Sequence, residues 1–294
     1  MPRQALEIQA DDYTSFLFKG PPGFGKTLAA ASFALLGPVY IAYFDKKNPV
    51  ELFRFFSRFG EKGKKILSNI SYDLYSSANP HEYLNHLWSL RTSNPYVAHI
   101  TDSVTTLTAA AVNWSQAFGN STVRKETQPE PSKIIPGFDE YKVETALIAQ
   151  SLDACRLLDC HIIWIAHPLP SLKIEESGTT IRVTKVNNIV TYGSKVAGMI
   201  PPNFTEIYHF SQKIEWNPGQ GNGSKRFIVN LESSGDEFAK SPMLEGTGIT
   251  ELDITNKFFY EVWKEKVDEI YKHDQAKLNP DPNNPIVPNF TKKW

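Results

Sequence analysis

Cysteine is almost missing from this chain. Only two occur in 294 residues, Cys155 and Cys160. Their spacing suits neither a disulfide framework nor a zinc site. Both fall in a stretch that reads as one helix, as reduced core residues, which fits a cytosolic compartment. Long apolar runs are missing too. No stretch is long enough to span a bilayer, and the opening MPRQALEIQADD lacks the apolar segment of a secretory signal. A soluble, cytoplasmic protein without membrane contact is expected. Charge of one sign is also lacking. Lys and Arg number 31 against 32 Asp and Glu, for a formal net charge of -1. That excludes a globally basic surface, so any nucleic-acid contact must come from a local patch. No internal repeat is present. The hydrophobic share of 41% is ordinary for a globular chain of this size.

What is present is a loop. Gly20-Pro21-Pro22-Gly23-Phe24-Gly25-Lys26-Thr27 fits the pattern G-x-x-x-x-G-K-[ST] at every fixed position. Tyr13 to Phe18 before it reads as a buried strand, and Leu28 to Leu36 after it as an Ala- and Leu-rich helix. Strand, glycine loop and helix together are the context this motif needs. Glycines let the backbone bend around a phosphate chain and aim N–H groups inward. Lys26 would set an ammonium against the β- and γ-phosphates, and the Thr27 hydroxyl would ligate Mg²⁺. The competing reading is a Gly/Pro turn with a chance Lys-Thr pair.

Strand and helix patterns alternate along the chain. Strands are expected at 39–45, 70–75, 96–101 and 161–166, with helices at 50–59, 79–91 and 104–118 and a long one from Phe138. Pro49 and Pro80 stand at helix starts. Leu52, Phe55, Phe56 and Phe59 form a helical stripe read as core. Glu61 to Lys65 reads as a basic turn, and the polar, Pro-rich residues 119–137 as a loop. Residues 169–197 suggest a hairpin around Lys173 and 180–185, or a partly disordered loop. Strands follow at 204–210, 213–216 and 226–231, with a turn cluster at 217–224. A helix at 258–271 and a Pro/Asn-rich tail end the chain. The alternation predicts an α/β fold, a mostly parallel sheet with helices on both faces and an antiparallel C-terminal extension. Residues 1–247 form the expected nucleotide-binding core, and 248–294 the C-terminal helix and tail.

Asp102 ends an apolar strand, where α/β sheets place ligand-contacting groups. It suits the acid that orients Mg²⁺ and its waters; an Asp capping the following helix is the plainer reading.

The words AHITDSVTTL and HIIWIAHPLP, in that order after the loop and followed by SKVAGMIPPNFTEIYHF, resemble a phage-type RecA-like P-loop ATPase over about residues 13–247. That family belongs with single-strand-annealing recombinases. The resemblance implies a RecA-like P-loop fold, ATP with Mg²⁺ as cofactors, a homo-oligomer, and single-stranded DNA as partner in phage recombination or replication. It puts His167 at the γ-phosphate sensor position, where a satisfied polar cap is the alternative. It puts Lys47 where the family carries its catalytic Glu. A protonated Lys cannot be the general base, so Asp45 or Glu51 must substitute, and slow hydrolysis relying on Asp45 is expected. The family's trans-acting cationic finger falls nearest Lys240, with Arg226 and Lys195 as rivals and a solvated surface Lys as the alternative. Its DNA-contacting loop corresponds to the region holding Lys173, Arg182, Lys185 and Lys195, offset by Glu175 and Glu176. So few cations imply weak, salt-sensitive DNA binding.

Two other readings stand beside it. One is a nucleotide switch or assembly ATPase acting on a protein partner without DNA. The other is a small-molecule kinase, disfavoured because 119–137 offers only Arg124 for an Arg-rich lid. No motif separates ATP from GTP.

Overall fold

The computed structural model describes residues 13–45, 49–118, 138–177, 180–216, 223–233 and 238–278. Ten strands are seen among them. β1 is Ser15–Lys19, β2 Val39–Tyr43, β3 Ile70–Leu74, β4 Ala98–Asp102 and β5 His161–Ala166. β6 is Pro168–Ser177, β7 Thr180–Ile189, β8 Glu206–Trp216, β9 Gly223–Asn230 and β10 Glu251–Asp253. The helices are α1 Lys26–Ala31, α2 Val50–Phe56, α3 Gly60–Ser68, α4 Pro80–Leu90 and α5 Val104–Phe118. α6 spans Phe138–Cys155, α7 Ser194–Met199 and α8 Phe259–Leu278.

One eight-stranded sheet runs in the order β10-β9-β8-β1-β5-β4-β2-β3. β1, β2, β3, β4, β5 and β8 pair in parallel. β8, β9 and β10 pair antiparallel. β1 sits inside the sheet, so both its faces need apolar cover. Phe16 and Phe18 face one layer with α1, α2, α3 and α8, and Leu17 faces the other with α4, α5, α6 and α7. Strands buried on both sides read as continuous apolar words. Each fully buried Phe or Leu removed from water contributes about 1.5–3 kcal/mol. Phe259, Trp263 and Val267 recur at helical spacing on α8 and pack with Phe16, Phe18 and Phe33, so the C-terminal helix completes the layer beneath β1.

Several local expectations are corrected. Glu61 to Lys65 is not a turn but the first half of α3, where Ile66 is buried and the lysines face water; their pattern is one amphipathic turn, too short to read. Cys155 ends α6 while Cys160 lies outside it, just before β5; both are buried and free. The words at 204–210 and 213–216 form one long strand, β8, because β9 pairs along it through Ser211 and Gln212. The helix α7 and the strand β10 carry no clear sequence signal. Residues 119–137, with Arg124, the turn 217–222, Lys47 and the tail 279–294 lie outside the described residues.

Two buried polar groups fix the frame. Glu206, fully buried at the start of β8, accepts hydrogen bonds from Tyr208 Oη at 2.7 Å, Ser241 Oγ at 2.6 Å and the Met243 amide at 3.2 Å. Burial pushes its carboxyl up, and these donors oppose that. The clamp holds residues 240–243 beside β8, where Lys240 and Ile207 exchange backbone hydrogen bonds of 2.8 and 2.9 Å. His99, the second residue of β4, is fully buried against Tyr40 and His86. Burial first, then His86, holds its imidazole down at about 3.

Candidate functional site

β5 lies between β1 and β4, and β2 lies on the far side of β4. The loop leaving β1, the acid ending β4 and the turn leaving β2 therefore open on the same edge, the carboxyl end of the parallel strands. That is where open α/β sheets bind ligands.

The loop is held tightly from below. A Cβ on Gly20 would stand 2.7 Å from the Phe210 carbonyl oxygen on β8, so only glycine lets the loop start this close to the sheet. Gly25 caps α1 at φ +84°, a backbone conformation L side chains rarely adopt. Lys26 is 5% exposed, and its Nζ donates to the carbonyls of Gly20 at 2.6 Å and Pro21 at 2.8 Å. The ammonium is thereby fixed across the mouth of the loop. Thr27 Oγ1 donates to Asp102 Oδ2 at 2.7 Å. Asp102 is fully buried, and the peptide joining it to Ser103 is cis. The loop and the acid, distant in sequence, thus meet.

The neighbouring carboxylate is held differently. Asp45, just past β2, accepts from Ser103 Oγ at 3.2 Å and from Thr106 Oγ1 on its Oδ1. His167 follows β5. Its amide donates to Thr105 Oγ1 at 3.3 Å, and its carbonyl accepts from the Val190 amide at 2.8 Å. His167 therefore joins the first turn of α5 to the base of the hairpin formed by β6 and β7.

A cavity of about 610 Å³ opens over these groups, lined by residues 22–28 of the loop with Tyr43, Asp45, Glu51, Leu52, Phe55, His167 and Phe227. Its size falls in the range of small-molecule and cofactor sites. Its lining combines the polar Lys26, Thr27 and Asp45 with the aromatic Phe24, Phe55 and Phe227, and Tyr43. Burial pushes the Tyr43 phenol up, Asp102 and Glu51 adding to this, so it stays neutral.

The structure gathers Lys26, Thr27, Asp102, Asp45 and His167 around one edge, with Glu51 on the cavity wall. It does not bring the finger candidates there within the chain. Lys240 lies beside the start of β8 in its bridge with Ile207 and is absent from the cavity wall. Arg226 is engaged by Glu215 at 2.5 Å and by Asp253 through its Nε at 2.9 Å, and these partners push its guanidinium further up. Lys195 is exposed on α7. Sequence reading missed the aromatic wall. Leu52 is buried as expected, but Phe55, assigned to the same core stripe, lines the cavity, and Phe59 is exposed. Phe227 comes from β9, whose place near Gly25 no local pattern reveals. The signal for Phe55 is its position in the helix that leaves β2 on the loop's side of the sheet.

An inner strand followed by a glycine loop, an acid two strands away and a cavity beside the loop define an α/β protein with a candidate ligand site at the carboxyl edge of its sheet. No family model and no curated protein sequence matches the chain. It is similar in structure to the protein described as the RadB recombinase, with 14% identity and a TM-score of 0.40, over 76% of this chain and 82% of that one. So loose a likeness carries no weight for function, which has to be read from the sheet and the cavity.

Proposed function

We propose that the chain binds ATP with Mg²⁺, hydrolyses it slowly, and acts on single-stranded DNA in recombination or replication of the phage type. The observation that carries the nucleotide reading is the 2.7 Å contact of Thr27 with Asp102 beside the buried ammonium of Lys26. A hydroxyl and a carboxylate oxygen are the hard donors magnesium takes together with phosphate oxygens and waters. Bound there, the ion would supply charge neutralisation on the phosphates. Lys26 would trade its loop carbonyls for phosphate oxygens, an exchange of neutral for charge-assisted hydrogen bonds. The aromatic residues in the cavity lining suit a base.

Slow turnover follows from Asp45. Its Oδ1 already accepts from two hydroxyls, and hydrogen bonds to a carboxylate weaken it as a base for water. His167 supports a link from the cavity to the hairpin, since it lines the first and anchors the second. The hairpin brings Lys173, Arg182 and Lys185 together in sequence with Glu175 and Glu176, Glu175 standing in register with Arg182. This balance supports weak contact with phosphates, strengthened if a homo-oligomer sums several hairpins. It also favours a second reading, a nucleotide switch whose hairpin meets a protein. In an oligomer Lys240 of one copy would serve as the cationic finger of the next.

Fluorescence anisotropy with labelled single-stranded DNA, with and without ATP at low salt, separates the two. A nucleotide-dependent rise that salt abolishes supports DNA; no change at low salt leaves the switch. Gel filtration with an ATP analogue should show assembly, and a persistent monomer would remove the finger.

A further inference from the structure

We propose that Glu144 on α6 is a positioning residue for the hairpin formed by β6 and β7; its consequence for DNA rests on the reading above. Among the described strands, β6 and β7 pair only with each other, as a separate two-stranded sheet. Two attachments are seen at the feet of this hairpin. The outgoing foot is His167, whose amide donates to Thr105 Oγ1 on α5 at 3.3 Å. The returning foot runs from Ile189 to Gly193. Ile189 is buried in the layer that holds α6 and α7. The Gly193 amide donates to Glu144 Oε1 at 3.2 Å, and the Glu144 side chain is fully buried.

The chain is fitted to this contact from both sides. The Gly193 carbonyl accepts from Thr191 Oγ1 at 2.8 Å and from the Val196 amide at 3.1 Å, so the residue that leaves β7 also opens α7. A Cβ on Gly193 would stand 2.7 Å from Glu144 Oε2 and 3.5 Å from Tyr141 Cδ1. Glycine lets the backbone come this close to α6. On the other side, Glu144 Oε2 has no hydrogen-bond partner among the described residues. Burial pushes the carboxyl up, and the amides of Gly193 and Tyr192 oppose that. Burying a carboxyl with one oxygen unpaired is costly, so packing alone does not account for a glutamate here. Its acceptor holds successive amides of the returning foot and fixes where β7 leaves α6. With His167 holding the outgoing foot, Glu144 sets the direction in which residues 173–185 are presented.

Hydrogen exchange on the full chain, read by mass spectrometry, tests this. Glu144→Ala should speed exchange over residues 168–193 about tenfold or more, the scale of losing hydrogen bonds to a carboxyl. Exchange in β1, β4 and β5 should stay as it is. Glu144→Gln keeps an acceptor oxygen and should restore slow exchange. Gly193→Ala should loosen the hairpin in the native chain yet add little on top of Glu144→Ala, because both break one contact. An unchanged hairpin in Glu144→Ala, equal loosening of the whole sheet, or no rescue by glutamine overturns the positioning role. Anisotropy with labelled single-stranded DNA should weaken and recover along the same series. No DNA binding by the native chain removes the DNA reading alone, and exchange still decides the role of Glu144.

Discussion

Two aspartates stand at the carboxyl ends of neighbouring strands of one sheet, yet they are held differently. Asp102 is fully buried and receives the Thr27 hydroxyl of the loop. Asp45 is half-buried, lines the cavity, and accepts hydrogen bonds from Ser103, just before α5, and from Thr106 in its first turn. In the proposed function, the first would be a fixed point for a cation against phosphate, and the second would face the attacking water. A carboxylate that organises a metal benefits from burial and one rigid partner, whereas a general base must come within reach of water. Ser103, next to Asp102 in sequence, supports the other aspartate in space. The Asp-Ser pair therefore serves both.

The widest break in this comparison should come from the phosphate side. Lys26→Ala should lower Mg-ATP affinity and turnover by about 100-fold or more, the scale of removing a preorganised charged donor. Retained binding in the calorimeter would put the phosphates elsewhere. Asp102→Asn keeps the shape but removes the charge. It should cost about 10- to 100-fold in magnesium-dependent binding and leave metal-free binding much less affected. Equal losses with and without magnesium would mean that Asp102 only caps α5.

Asp45→Ala should separate the two roles. Turnover should fall about tenfold or more while binding changes little. Unchanged turnover, beside a dead Lys26→Ala, would take the base assignment from Asp45, and Glu51 would be the next residue to replace. The smallest effect, within any one pH unit, tests the frame that carries both aspartates. His99 is held neutral by burial, down to about 3 from an ordinary 6.5. The unfolded chain takes up that proton first, so stability is full above 6.5 and is lost as pH falls toward 3. The loss from this one group is at most about 1.4 kcal/mol per pH unit. Urea unfolding across that range should show the slope, reduced in His99→Gln; an equal slope in the variant would assign it to other groups.

The loop half of the candidate site was legible because it is local. Loop, strand and helix are contiguous, and glycine, lysine and threonine at fixed spacing leave few alternatives. The sheet was legible for the same reason, since buried strands such as Val39–Tyr43 and His161–Ala166 announce themselves by unbroken apolar words. Asp102 was found from its place at a strand end. The aromatic wall was not, because Phe55 and Phe227 share the cavity only through strand order, and helical spacing alone reads Phe55 as core. Nor does any pattern reveal that Arg226 is paired with residues of β8 and β10. Long-range pairing, not residue type, decided each of these.

The direct test of a magnesium-nucleotide site at the loop is a calorimetric titration of the native chain with ATP, once with excess magnesium and once with a chelator. Saturable binding near one nucleotide per chain is predicted with magnesium, weakened about tenfold or more without it. No heat of binding under either condition would contradict it.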